Sequence, residues 1–536
     1  MENLSYACNP RVVASMMVSS LLLLIIVSRH HRQLQLGRNS PLEQSSTVIF
    51  SEPSCLSRSQ LHLMRSSASS SPNSNNQKPP PLSPYLLSRL RDYEHRHKRC
   101  DPLSEPFQRY SQELDRVKNS PDSLVRKNAD SASDCRYIVF TPFAGMGNRM
   151  LALSSAFLYA LLTDRVLLVD FDPSMRGLFC DPFHNSTWLL PQEFTFMDRV
   201  KSREFKEVFS LGSLLKNQNQ NQNQKLADVT SLLQLDLSTE YNDYDKLFYR
   251  DETQELMKNV PWLVLKSNQY FLPYLFLLPC FRTELDQLFP DKEIVFHHLA
   301  RYLFNPSNQA WGRISRFYDA YLARAEQRIG LQIRVLDPEN YPPSFILPHI
   351  LRCIQDESRI LPRLQRNETI TSRIGTSKAV FIASLLTEFY SELKDMYWTR
   401  PIADGEETAS VAVYRASHER NQESYSNSHN MNALVDIYLL SMCDFLVTTQ
   451  VSTFGYVAFG LAGVSPWFLR DPSDYERKPS EPACHRAVSP EPCFQFHPTD
   501  YDPIAALHRG ATGPAPVIMY CEDAIWGFKL ANMMSF

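Results

Sequence analysis

Apolar positions along the chain alternate between two periods. Tyr137-Ile-Val-Phe140 is a short apolar run, closed by a turn with Gly145 and Gly147. Small or apolar residues then recur at helical spacing at Leu151, Ser154, Ser155, Leu158 and Leu162, and Thr163-Asp164-Arg165 breaks the pattern before Val166-Leu-Leu-Val169. This is the signature of strand, glycine turn, helix, strand. The alternation returns further on. Val260-Pro-Trp-Leu-Val-Leu-Lys-Ser267 reads as a strand entering a loop, and Phe296 to Phe304 and Gln309 to Arg328 as linking helices. Gly330 to Val335 is a strand, Asn430 caps a helix bearing Leu434, Ile437, Tyr438 and Met442, and Phe445 to Thr448 is another strand. Ser452 to Ala458 opens a further helix. Strand–helix units in series predict an α/β fold of parallel sheets, with a ligand cleft at the carboxyl ends of the strands.

Two stretches depart from this pattern. Val12 to Val27 carries no charge and lies between Arg11 and Arg29-His30-His31-Arg32. It is shorter than the roughly 20 residues of a typical span, as suits a thinner early-secretory membrane. No small-residue cleavage site follows, so residues 1–28 read as a cytosolic tail and retained signal anchor. The denser basic flank on its C-terminal side argues for a cytosolic body. The cysteines and the glycosylation acceptors Asn185-Ser-Thr and Asn367-Glu-Thr argue for a lumenal one, which is the reading taken. Residues 29–130 are rich in serine and proline and read as a stem. From Tyr85 the stem becomes more charged and starts to pack, and Glu94-His-Arg-His-Lys-Arg99 reads as a solvated helix face. Two folded domains are expected, over 131–324 and 325–536. Within the first, the Asn–Gln alternation from Asn217 to Gln224 reads as a surface loop expansion.

A formal charge of −3 gives no electrostatic case for nucleic acid. The 11 cysteines include no CxxC pair and suit disulfides better than a zinc site. Glycine numbers only 15 in 536 residues, against a usual share of about 7%. Gly145-x-Gly147 at the start of a helix is therefore a candidate phosphate cradle, although the third glycine of the dinucleotide fingerprint is missing. A purely structural turn explains the two glycines equally well.

The segment from Gly145 to Asp170 resembles the plant xyloglucan-type fucosyltransferases, which carry GLGNR, SAFLYALLTDRVLL and a following Asp. The resemblance covers about residues 84 to 531. It implies a GT-B architecture, two facing Rossmann-like domains with the acceptor on the first and GDP-fucose on the second. Gln332-Ile-Arg-Val-Leu-Asp337 matches QVRVFD, and an arginine at a strand's carboxyl end can grip a diphosphate with two parallel N–H bonds. Arg334 is thus the strongest candidate catalytic residue. Ser452-Thr453-Phe454-Gly455-Tyr456 matches STFGY, with Ser452 and Thr453 as caps and the first-turn N–H groups on the second phosphate. Asn148 and Arg149 are expected to face the cleft beside Gly145 and Gly147 and to touch GDP-fucose. Asp436, in the matching Asp436-Ile-Tyr-Leu-Leu segment, either bonds to the loop from within its helix or is a helix-surface charge.

Three departures and ambiguities follow. The resembled family reads KSDNYF where this chain has Lys266-Ser-Asn268-Gln269-Tyr-Phe271, and an amide cannot accept a proton near neutral pH. Asn268 then orients the acceptor while another group takes the proton, with Asp523 as substitute, or the activity is weakened. Arg250 stands where a cysteine follows LFF, which would leave an earlier cysteine such as Cys180 without its partner, while Cys484, Cys493 and Cys521 staple the C-terminal part. The triplets Asp170-x-Asp172, Asp243-x-Asp245 and Asp500-x-Asp502 invite a metal, but the resemblance implies chemistry without metal or cofactor.

Together these readings point to a Golgi type II membrane enzyme with a lumenal catalytic part. It would move L-fucose from GDP-β-L-fucose, with inversion, to O-2 of galactose on xyloglucan, or else to arabinose of arabinogalactan-protein. A second copy of the chain is a further candidate partner. The alternative is a catalytically silent relative that binds glycans or scaffolds other transferases.

Overall fold

The computed structural model describes residues 55–61, 80–117, 135–192, 194, 197, 208–218, 230–239, 245–365, 375–403, 409–497, 517–524 and 526–532. The first lobe is built on strands β1 (Tyr137–Pro142), β2 (Val166–Val169), β3 (Leu232–Asp236) and β4 (Trp262–Ser267), all parallel, in the order β2-β1-β4-β3. Tyr137, Ile138, Val139 and Phe140 are all sealed from solvent. Parallel strands covered on both faces read as unbroken apolar runs, not as alternation.

The second lobe carries β5 (Gln327–Ile333), β6 (Thr376–Ser384), β7 (Ala409–Tyr414), β8 (Phe445–Thr449), β9 (Trp467–Leu469) and β10 (Cys484–Arg486), in the order β10-β9-β8-β5-β6-β7. Only β10 runs antiparallel to its neighbour. A short antiparallel pair, β11 (Ile518–Tyr520) and β12 (Phe528–Leu530), ends the described chain.

Five helices position the site: α1 (Pro84–Arg99), α2 (Met146–Leu162), α3 (Val295–Leu303), α4 (Asn427–Ser441) and α5 (Thr453–Ala462). Every residue of α2 except Asn148 is buried, as expected of a helix that is apolar all round. It packs on β1 and, across the lobes, on α5. One hydrophobic core therefore runs through both lobes, from Met150 and Phe157 through Phe296 to Leu434, Tyr456 and Phe459. The close fit shows at Gly460, where a Cβ would stand 2.3 Å from the Phe296 ring. The C-terminal residues cross back to the first lobe. Glu491 accepts from the Tyr270 hydroxyl and from Phe296 N (3.1 Å), and Asn532 Oδ1 accepts from Lys292 N (2.9 Å).

Several expectations change. The helix expected to reach Arg328 spans Asn308–Phe317, loosens into a π turn over Tyr318–Leu322 and stops, because Arg328 already belongs to β5. The cap of α4 is Ser426, not Asn430; the Asn430 amide is spent on Ser174 and on Ser424 O (2.9 Å). The stretch read as stem contains α1, which buries Leu86, Leu90, Tyr93 and His97. Leu167 N donates to the Tyr93 hydroxyl (2.9 Å), and burial pulls His97, within the run read as a solvated face, down to about 4. Disulfides Cys55–Cys180 and Cys100–Cys135 pin this region, so Cys180 does have a partner. Two cysteines among the described residues are unpaired: the buried Cys443, and Cys280, whose N–H bonds to Asp251 Oδ1 (3.2 Å), the residue after Arg250. Cys484 pairs with Cys353, and Cys493 with Cys521. Asn185 is exposed with φ of 55°, a conformation asparagine tolerates. Val12 to Val27, Asn367 and residues 219–224 lie outside the described residues, among which no helix is long and apolar enough to cross a membrane.

Candidate active site

Open parallel sheets bind ligands beyond the strands' carboxyl ends, where the strand order reverses. In the second sheet the chain moves from β5 out to β7, then returns to β8 and goes the other way, so the reversal lies between β5 and β8. Arg334 is the first residue past β5, and its N–H donates to Thr449 Oγ1 at the end of β8 (2.9 Å). In the first sheet β1 and β4 adjoin in the same way. Asn148, after β1, donates its Nδ2 to Asn268 O, after β4 (3.1 Å). The two crevices face one cavity of about 350 Å³. Gly145 to Asn148 form its first-lobe wall; Gln332 to Leu336, Ser384, residues of the 417–424 loop, Asp436, Thr453 and Phe454 form the other.

The left-handed residue of the first-lobe turn is Ala144 (φ 69°), not a glycine. Gly147 answers a different need. A Cβ there would lie 2.5 Å from the Thr453 carbonyl and 2.7 Å from Phe454 N, far inside van der Waals contact. Its missing side chain lets the start of α5 touch the first lobe. Thr453 Oγ1 then donates to Asn148 Oδ1 (3.0 Å), tying the lobes together.

Arg334 has no carboxylate partner among the described residues. Its guanidinium makes a long contact to Gln422, with Oε1 3.5 Å from Nη2, and burial lowers its pKa. Asp337 bonds instead to Asn340 (2.6 Å). Across the crevice, Ser452 is the N-cap of α5 by position but makes no capping bond, and its buried hydroxyl has no partner. The Thr453 hydroxyl is turned to Asn148. No side chain caps the first turn of α5, so its N–H groups are open to an anion. A half-buried cation without a counter-ion thus shares the cavity with an uncapped helix N-terminus, an arrangement suited to a diphosphate.

With this geometry in view, comparison with known proteins is decisive. The sequence profile described as xyloglucan fucosyltransferase matches residues 46–503. The chain belongs to the xyloglucan fucosyltransferase family. It is 43% identical over 485 residues to a galactoside 2-alpha-L-fucosyltransferase of Pisum sativum, covering 90% of this chain and 80% of that protein. An Arabidopsis thaliana protein of the same description is 41% identical, with 90% and 81% covered. Among solved structures, an Arabidopsis thaliana FUT1 mutant in complex with GDP superposes with a TM-score of 0.73 at 40% identity, covering 90% of this chain and 98% of that one.

Not every candidate in this xyloglucan fucosyltransferase family member reaches the cavity. Arg149 is 1% exposed and does not line it. Its guanidinium donates to Ala144 O (2.7 Å), Ser174 Oγ (2.9 Å) and Ser424 O (3.1 Å), and lies 3.1 Å from Asp172. That ion pair is where one Asp-x-Asp triplet is used; Asp243, Asp500 and Asp502 lie outside the described residues. Asp523 also lies off the cavity, behind α5. Its Oδ2 accepts from Tyr456 Oη (2.6 Å) and Val451 N (2.9 Å), and burial raises its pKa. Val451 holds a φ of 58°, a costly conformation for a β-branched residue, and the Asp523 bond helps to fix it. Tyr456 is therefore a brace for the turn and not a wall of the cavity. Gly455 is needed for close approach, since a Cβ would stand 3.0 Å from both Gln332 Oε1 and Thr448 Cβ. Asn268 Oδ1 accepts from Thr239 N (3.2 Å) and Gln269 Nε2 (2.9 Å), tying two loops; the residue does not line the cavity.

Asp436 is no surface charge. It lines the cavity, is 6% exposed, and burial pushes its pKa up to about 7 against hydrogen bonds from Ser417 and the charge of Arg415. Its Oδ1 has no hydrogen-bond partner. The sequence reading missed Arg415, which shapes the cavity loop through Thr387 Oγ1 (2.7 Å), Ser384 O (3.0 Å) and Glu419 O (2.9 Å). It also missed the loop itself. Residues 417 to 426 have neither apolar period nor motif, and no sequence signal marked them.

Proposed function

We propose that this chain is an inverting fucosyltransferase of GT-B architecture that moves L-fucose from GDP-β-L-fucose to O-2 of galactose on xyloglucan. The observation that carries the reading is the uncompensated Arg334 guanidinium facing the uncapped start of α5 across one inter-lobe cavity. Family membership and the GDP complex of a 40% identical protein support a GDP donor. Arg334 and the α5 N–H groups meet negative charge as it grows on departing GDP, the kind of fixed electrostatic aid that dominates such catalysis. These groups supply the positive field by themselves, so the mechanism calls for no metal or cofactor. Asp436, whose Oδ1 is unpartnered on the cavity wall, supplies an acceptor for the N–H edge of guanine. Asp523 and Tyr456 position the phosphate-binding turn. Direct displacement inverts the anomeric centre without a covalent sugar–enzyme intermediate.

Four disulfides and the exposed Asn185 acceptor support a lumenal, Golgi-resident catalytic part. The test is transfer from labelled GDP-fucose to a galactosylated xyloglucan oligosaccharide and to arabinogalactan-protein, with and without EDTA. Fucosylated xyloglucan is expected, undiminished by EDTA. GDP binding without transfer to either acceptor would instead establish a silent, glycan-binding relative.

A further inference from the structure

The buried Arg149 leaves one of its faces to a neighbour. The Tyr425 ring lies over it, with the guanidinium carbon 5.3 Å from the ring centroid. Cation–π contact and four polar partners thus fix one end of the stack. Yet Tyr425 is 74% exposed, so most of the ring is presented to solvent. A flat aromatic clamped from beneath has little rotamer freedom left to lose when something packs on it.

Its place matters. Tyr425 follows Ser424, whose carbonyl accepts from Arg149 and which itself lines the cavity. The cavity lining also includes Leu336, 80% exposed on the loop after β5, two residues past Arg334. Two large apolar side chains are therefore offered to solvent, one on the cavity wall and one directly after it. In a transfer reaction the acceptor hydroxyl must reach the donor's anomeric carbon through that mouth, so whatever rests on the rim is continuous with the reaction site. A pyranose ring has the required character, an apolar C–H face edged by hydroxyls. The exposed polar side chains of Arg420, Asn421 and Gln422 line the same wall and suit those hydroxyls.

We propose that Tyr425, held flat by Arg149, and Leu336 form a stacking rim for the acceptor glycan, taking a pyranose face while the donor occupies the cavity behind. This rests on the transferase reading and adds acceptor residues to it.

The experiment is equilibrium binding of a galactosylated xyloglucan oligosaccharide to the GDP-loaded full chain, beside GDP affinity measured alone. Tyr425→Ala should weaken oligosaccharide binding by roughly three- to tenfold, the scale of one aromatic contact. Tyr425→Phe should restore it, Leu336→Ser should reproduce part of the loss, and GDP affinity should stay within twofold in both Tyr425 variants. Because Tyr425 is exposed, an unchanged melting temperature serves as the folding check. Unchanged oligosaccharide affinity in Tyr425→Ala with GDP binding intact would overturn the rim. So would wild-type protein that binds GDP but not the oligosaccharide, or a parallel loss of GDP affinity. Failure of the wild type to bind GDP would instead sink the transferase reading.

Discussion

The two strand-end crevices are built from similar parts and left in opposite states. On the first lobe, Asn148 bonds to Asn268 and Thr453, Asn268 to Thr239 and Gln269, and Arg149 to Ala144, Asp172, Ser174 and Ser424. On the second lobe, Gln332 Oε1, Thr448 Oγ1, Ser452 Oγ and Asp436 Oδ1 are buried without partners, and Arg334 has one long contact. A buried polar group without a partner costs about 1–3 kcal/mol, and evolution rarely tolerates several together without return. The first crevice is finished as architecture, while the second holds unspent bonding capacity that a ligand can use where it lies on the cavity wall, at Gln332, Arg334 and Asp436. Substitutions should therefore separate, with the second crevice losing ligand binding and catalysis and the first losing stability.

The largest effect is expected at Arg334. Arg334→Ala should lower kcat/KM for fucosyl transfer by at least about tenfold, or 1.4 kcal/mol of barrier, with no fall in melting temperature. Removal of a half-buried, unpaired cation relieves its desolvation. An Arg334→Ala protein that melts early yet turns over normally would reverse the assignment of the two crevices. Gly147→Ala probes the other side. Its Cβ collides with the Thr453 backbone, not with a flexible side chain, so the lobes must shift. Overpacking of this kind costs about 1–3 kcal/mol, read as a lower melting temperature before any change in GDP affinity of the surviving folded enzyme.

Asp436 sharpens the comparison through pH. It faces Arg415 and Glu419, and His429 also lines the cavity 3.4 Å from Glu419. If its carboxylate receives guanine donors, GDP affinity should fall by roughly tenfold between pH 8 and pH 6, as a group near 7 takes up its proton. In Asp436→Asn the slope should flatten to the part that the terminal phosphate of GDP, with a second pKa of about 6, contributes by itself. The stability sign is opposite. A carboxyl raised from 3.8 to about 7 by burial binds more protons folded than unfolded. Its contribution to stability is present below pH 3.8 and lost as pH rises through 7. Wild type should therefore lose stability over that window relative to Asp436→Asn, in thermal melts without GDP.

Much of this was legible in the residues. The apolar runs at 137–140, 166–169 and 445–448 are strands because both faces are covered, and a fully buried strand announces itself by composition. The cavity candidates after β1 and β5 follow from where open sheets bind ligands. Less legible was how each side chain would be used. Arg149 and Arg334 are both arginines in family-like motifs next to strands. Only the partners folded around them, Asp172 and the Ser424 carbonyl for one and little more than Gln422 for the other, separate a strut from a free charge. Gly147 was readable as necessary but not as an inter-lobe contact, since its neighbour Thr453 lies far along the chain. β6 and β7 went unmarked. β6 carries the buried apolar run Ala379-Val-Phe-Ile-Ala383, a signal of the same kind that was not used, while β7 mixes small and polar residues and is a half-exposed sheet edge.

The smallest effect is expected at Asn268, and it is the most direct check on the first crevice. The Oδ1 bonds to Thr239 N and Gln269 Nε2 are acceptor bonds, which a carboxylate oxygen makes equally well. Asn268→Asp should thus leave the melting temperature unchanged. It should also leave kcat within about threefold, because the tied oxygen is turned between two loops and the residue does not line the cavity. A gain of ten or more, which is 1.4 kcal/mol of barrier, would show that the acceptor's proton passes through position 268. The first crevice would then be catalytic ground as well as scaffold, and the contrast between the two lobes would reduce to the donor side alone.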